Sequence, residues 1–135
     1  MIKYNELKVG DLVMTEFDGR MLEGEVTNLN GDEKQVCVET EVQEFWYEPE
    51  HLFPIPMTDE QLLRMNFTKE VGAEGGVKYK KGAFRIKIPA ENNFNEVEIW
   101  YREEHRIFHH NLMIHELQNH YLQMTKVHLT KDVMV

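Results

Sequence analysis

"LVMTEFDGRMLEGEVTNLNGDEKQVCVET", residues 12–40, is the stretch that sets the fold class. Leu12 to Phe17 is an apolar, β-prone run; Asp18-Gly19 is a hairpin signal, and the chain returns through Met21 to Thr27. Asn30-Gly31 repeats the device ahead of Gln35 to Thr40, and a fourth segment, Val42 to Tyr47, carries Phe45, Trp46 and Tyr47. Two glycine-marked hairpins this close together predict an antiparallel meander. A meander of about fifty residues buries its two faces most economically by curling into a small barrel.

Downstream, Pro54 and Pro56 bracket Ile55 and stiffen the exit into an extended link. Thr58-Asp59-Glu60-Gln61 then reads as a capping box, with acidic residues in the first turn where the helix dipole favours them, so a short helix is expected over about 59–65. Phe67 to Val71 reads as a strand and the GAEGG loop, residues 72–76, as a turn. Val77 to Lys81 and Ala83 to Ile88 form an expected hairpin about Gly82, with Phe84, Ile86 and Ile88 on one face and Arg85 and Lys87 on the other. Glu96 to Tyr101 is a further strand, with Glu96, Glu98 and Trp100 opposite Val97, Ile99 and Tyr101. Its glutamates are expected to pair across the sheet with Arg85 and Lys87. The resulting expectation is an α+β chain. Residues 1–57 would make a small barrel, and residues 58–135 a short antiparallel sheet packed on a C-terminal amphipathic helix.

Charge separates the two halves. Residues 1–57 hold 4 Lys/Arg against 13 Asp/Glu and residues 58–135 hold 11 of each, so the formal net charge of −9 lies wholly in the first half. Such a field repels phosphate backbones, and no nucleic-acid partner is expected. A basic partner or simple solubility is the natural use of that surface. Apolar runs are far too short to span a bilayer, and Lys3, Glu6, Lys8 and Asp11 interrupt the start where a secretory signal would need an unbroken apolar segment. With a single cysteine, Cys37, alternating with Val36 and Val38 as a strand residue, the expectation is a cytoplasmic protein with no membrane partner and no disulfide.

The opening LKVGDLV and the closing EPEHLFPIPMT resemble the first and last strands of SH3-like barrels over residues 7–57. Members of that class bind peptides, methylated lysines or nucleic acids, so the resemblance implies a fold and leaves the activity open. Phe45, Trp46, Tyr47 and Phe53 could supply the aromatic cage or groove that some of them use. The competing expectation is core or interdomain packing for the group, with about half of these rings in the barrel core and Trp46 pointing away from Phe45 and Tyr47 because successive strand residues alternate faces.

The most chemistry-like stretch is "HHNLMIHELQNHYLQ", residues 109–123. Ile114, Leu117, Tyr121 and Met124 recur at helical spacing, predicting a helix from about 111 to 125. A zinc-protease box needs His-Glu-x-x-His, and here His115 and His120 are five apart, which at about 100° per residue sets them roughly 140° apart, flanking the apolar stripe. Neither a metal nor another cofactor is expected, and no catalytic constellation is legible elsewhere. Gln118 and Asn119 lie three and four residues from His115 and form a polar patch with it. Those amides either tie the helix to an adjacent loop or read a ligand.

PIPMTDEQLLRMNF, residues 54–67, and IHELQNHYLQMT, residues 114–125, resemble two recurring segments of small uncharacterised proteins of Bacteroidetes, their phages and mobile elements. The shared residues of the second segment are His115, Leu117, Gln118, Asn119 and Tyr121; His120 and Met57 depart from the pattern. The resemblance implies a genomic setting and no reaction. The function expected is a non-enzymatic accessory or adaptor protein that binds another protein, with Trp46, Tyr47, His115, Gln118 and Asn119 as candidate contact residues. The alternatives are a small-ligand binder, such as one sequestering a nucleotide signal, and a disfavoured metal-dependent hydrolase. The sequence sets no oligomeric state.

Overall fold

The computed structural model describes residues 2–131, which fall into two compact units. One comprises the residues up to Ile55 together with Met113–Gln118; the other comprises Pro56–Leu112 and the residues from Asn119 onward. The first turns of the C-terminal helix therefore group with the N-terminal unit, whereas the expected division at 57/58 gave that helix wholly to the second half. Both units carry antiparallel sheets, and the class is α+β.

The first unit is built on a five-stranded sheet in the order β4-β3-β2-β1-β5: β1 Leu12–Phe17, β2 Arg20–Asn30, β3 Gln35–Glu39, β4 Glu44–Tyr47 and β5 Leu52–Phe53. Asp18 and Gly19 both take positive φ (51° and 76°), the backbone of a two-residue hairpin whose twist matches the flanking strands. The second hairpin departs from the two-residue pattern. Four residues, 31–34, separate β2 from β3, Asn30 Oδ1 accepts from the amides of Asp32 and Glu33, and the positive φ falls on Lys34 instead of Gly31. Gly24 lies in mid-strand because a Cβ there would meet Val38 Cγ1 at 2.5 Å and the Glu39 carbonyl at 3.0 Å. Val13, Val26, Val36, Val38 and Leu52 form the core with Ile2 and Leu7, and Tyr4, Leu29 and Tyr47 pack against it.

The sheet is curled. β4 and β5 are its two edges, yet only residues 48–51 join them. In a flat sheet the first and fifth strands lie about 19 Å apart, while the five steps from Tyr47 to Leu52 span at most about 18 Å fully extended. Residues Pro49–His51 form a 3-10 turn, which shortens that reach further. The edges must therefore swing toward each other. They do not pair among the described residues, so where a small barrel is expected the structure has a curled sheet without a closing seam.

The second unit holds the helix α1 (Asp59–Arg64) and a five-stranded sheet in sequential order: β6 Thr68–Val71, β7 Val77–Lys81, β8 Phe84–Ile88, β9 Val97–Tyr101 and β10 Glu104–Phe108. Thr58 Oγ1 accepts from the Gln61 amide and caps α1 as the sequence predicts. β10 is an addition to the strands expected from sequence, the last of which ends at Tyr101. The strand reversal there uses Arg102 at φ 56°, a conformation that no glycine or asparagine announces. The helix α2 runs from Ile114 to Thr125, and Glu116 Oε1 accepts from the Met113 amide at its start. In its second part, Tyr121 packs on Phe84 of the sheet with ring centroids 4.7 Å apart. Among the described residues no helix is long and apolar enough to cross a membrane.

Candidate functional site

Where β4 and β5 approach, Phe45, Tyr47 and Phe53 line a pocket of about 390 Å³ together with Glu16 and His51. The register explains which rings meet. Tyr47 lies opposite Val36 and Phe45 opposite Val38, on the side of the core valines, while Trp46 lies opposite Cys37 on the other side. Phe45 and Tyr47 meet edge to face at 5.3 Å. Tyr47 is half-buried against the core, but Phe45 is 55% exposed, Phe53 40% and Trp46 39%. Three of the four aromatics expected to serve mostly in packing are thus on the surface, because β4 and β5 are short edge strands with too little sheet beyond them to cover their side chains. The pocket combines ring faces, a carboxylate and an imidazole. That chemistry accommodates a cation carried on an apolar stem.

The polar patch on α2 has a different use. Gln118 is fully buried; its Oε1 accepts from the Leu12 amide at 2.8 Å and its Nε2 donates to the Gly10 carbonyl at 2.9 Å. On the other side of the same segment, the Gly10 amide donates to Val26 and the Asp11 carbonyl accepts from Val26. β5 pairs with β1 at Met14 and Thr15, so among the described residues no strand lies along Gly10 and Leu12 on that flank, and the Gln118 carboxamide stands in for one. Of the two uses open to this amide, it has the tie to a neighbouring loop.

His115 is 2% exposed and donates through Nε2 to Glu6 Oε2 at 3.2 Å, while its buried Nδ1 has no hydrogen-bond partner among the described residues. Asp11, fully buried, is held by the Lys8 ammonium and by the Lys8 amide at 3.1 Å. Burial pushes the Asp11 carboxyl above its usual range, against the opposing effect of Lys8. Asn119 is half-buried and groups with the second unit, apart from His115 and Gln118. The other histidines disperse: His120 Nδ1 is 2.7 Å from Arg106, His105 stacks on Trp100 at 4.1 Å, and His109 lies 3.8 Å from Glu96. Among the described residues no three His, Cys, Asp or Glu side chains are grouped to hold a metal ion.

The cross-strand pairing expected of Glu98 with Lys87 and Arg85 is also replaced. Glu98 faces Lys87 in register, but its carboxylate accepts from the Trp100 indole N–H at 2.8 Å and lies 3.4 Å from His105. The Lys87 ammonium and the Arg85 guanidinium sit over the Trp100 ring instead, 5.2 and 5.6 Å from its centroid. The indole donor claims the carboxylate from two residues away on the same strand face, and the ring then offers the cations a π surface. Sequence reasoning missed this cluster because Arg85, Lys87, Glu98 and Trp100 each read singly as an ordinary strand residue and His105 lies on β10, which was not expected. Comparison of the chain with protein-family models, curated proteins and solved structures returned no match.

Proposed function

We propose that the first unit is an SH3-like protein-binding module that seats a lysine or arginine side chain of a partner protein in the aromatic pocket. The chain as a whole then acts as a non-enzymatic accessory or adaptor protein of a phage or mobile element. The observation that carries the reading is the exposure of Phe45 and Phe53 around one pocket with Glu16 at its wall. Exposed rings cost solvation unless a partner covers them, and a cation against ring faces with a carboxylate nearby gains about 0.5–2 kcal/mol. The excess of carboxylates in residues 1–57 steers a basic segment toward the site. Among the described residues β4 pairs with β3 on one flank and with no strand on the other, which leaves that flank for main-chain hydrogen bonds to an extended peptide. The genomic setting rests on the resemblance of residues 54–67 and 114–125 alone. The small-ligand alternative, with His115, Gln118 and Asn119 at a pocket, loses support because the Gln118 amide is already satisfied by backbone.

The test is titration with lysine- and arginine-centred peptides, followed by NMR at Phe45, Tyr47 and Phe53. Saturable shifts are expected, with Phe45→Ala and Phe53→Ala each weakening binding about tenfold and Trp46→Ala leaving it nearly unchanged. If basic peptides bind the Phe45→Ala and Phe53→Ala proteins as well as the parent, or fail to bind below about 1 mM, the reading is wrong.

A further inference from the structure

The second sheet has a face that the protein-binding reading does not use. Pairing across β7, β8, β9 and β10 aligns Lys78, Lys87, Glu98 and Ile107 in one row and Lys80, Arg85, Trp100 and His105 in the next. Both rows lie on the side opposite the buried Tyr79, Ile86 and Ile99. Neighbouring cations on this face are therefore spaced by about 5 Å across strands and about 7 Å along them. Lys80 is paired with Glu70 at 3.0 Å, whereas Lys78, Arg85 and Lys87 have no carboxylate at ion-pair distance among the described residues. Next to Lys78 and Lys87, the β6–β7 turn adds a cavity of about 640 Å³ walled by Val71, Gly72 and Gly76, with Glu70, the partner of Lys80, also at its wall.

We infer that this cationic sheet face, centred on the Trp100–His105 stack, binds single-stranded nucleic acid. The ligand must supply negative charge at several points and a planar ring beside them. An unpaired strand carries both, with phosphates for Lys78, Arg85 and Lys87 and an unstacked base to extend the stack from the outer side of His105, the indole itself lying between His105 and the two β8 cations. A duplex hides its ring faces, and an acidic peptide brings carboxylates without them. The cavity beside the lysines is of a size that holds a nucleotide. The charge argument against nucleic acid came from residues 1–57, and this face belongs wholly to the other unit. The acidic half still weakens long-range attraction, which makes the interaction short-ranged and salt-sensitive.

The experiment is fluorescence anisotropy of the full chain with labelled single-stranded DNA and RNA of about twelve nucleotides, beside the matching duplex and polyglutamate of equal charge. Binding in the tens of micromolar or tighter is expected near 50 mM salt, falling with a log–log salt slope of about −2 for three phosphates. The duplex and polyglutamate should bind at least fivefold more weakly. Arg85→Ala/Lys87→Ala should lose at least tenfold, and Trp100→Ala about tenfold, with Trp100→Phe recovering most of it; circular dichroism confirms that each variant is folded. In a Trp46→Phe background, Trp100 emission should quench on titration. Equal affinity for polyglutamate or duplex, or undiminished binding by the double variant, would overturn the inference. So would salt-sensitive self-association without oligonucleotide binding, which would mean that a second copy's acidic surface occupies the face. None of these outcomes depends on Phe45 or Phe53, so the fate of the aromatic pocket is read separately.

Discussion

Replacing Gln118 by alanine removes the amide that completes the flank of residues 10–12, and its cost follows from what is left behind. The Leu12 amide loses its partner in a buried setting and the Gly10 carbonyl in a part-buried one. A buried backbone group stripped of its hydrogen bond costs about 1–3 kcal/mol, and alanine returns a few tenths as a better helix former. The expected loss is about 2–4 kcal/mol, the lower end applying if water enters the space the side chain vacates. Urea denaturation by circular dichroism gives the total. Hydrogen exchange at the Leu12 amide gives the local effect, which should accelerate well beyond that of the strand interior. Gln118→Met separates packing from hydrogen bonding: it restores most of the volume and neither bond, so it should remain nearly as unstable as the alanine variant. Gln118→Glu keeps an acceptor for Leu12 but turns a second carboxylate oxygen on the Gly10 carbonyl, and should also destabilise. Should the alanine and methionine variants both lie within about 0.5 kcal/mol of the parent, with Leu12 exchange unchanged, the amide is not a surrogate strand and the account of this flank fails.

Two further predictions concern buried and bridging carboxylates. The Asp11 carboxyl is raised by burial, so its stabilising contribution is complete below its unfolded pKa near 3.8 and is lost as pH rises through the higher folded value. Asp11→Asn should therefore gain stability relative to the parent between about pH 3 and about pH 7 in paired urea melts; a difference that moves the other way would mean that the Lys8 ion pair outweighs burial. Asp59 is held below its usual range, first by the Tyr79 hydroxyl, which donates to it at 2.6 Å, and then by Lys69. Its contribution is present above about pH 3.8 and disappears as pH falls through the lower folded pKa. Tyr79→Phe should cost about 1 kcal/mol near neutrality and progressively less below about pH 3, and a pH-independent cost would show that the effect is packing alone.

The hydrophobic alternation and the Asp18-Gly19 turn were enough to place β1, β2 and β3, because both are local: a period of two and a positive-φ pair need no distant partner. The capped helix at Asp59–Arg64 and the stripe Ile114, Leu117, Tyr121 and Met124 were legible for the same reason. β10 escaped notice because its reversal places Arg102 in the left-handed region, a choice that pairing with β9 enforces against local preference. The lost seam of the barrel was equally invisible, since sequence shows that strands exist and not whether β4 and β5 reach hydrogen-bonding distance.

For the sites, sequence determined the inventory and the folded chain determined the assignments. Five-residue spacing by itself kept His115 and His120 from a common ion, because helical geometry fixes their angular separation. Whether Gln118 read a ligand or braced a loop was not in the sequence, since the groups it satisfies lie more than a hundred residues away. Likewise Trp100, Arg85 and Lys87 are unremarkable strand residues, and His105 lies on the unread β10, until register lays them in two adjacent rows of one sheet face and Glu98 accepts from the indole N–H instead of from an ammonium. Local propensity and periodicity act over a few bonds and can be read from the chain alone. Which polar group meets which is decided by closure of long loops, and only the tertiary structure contains it.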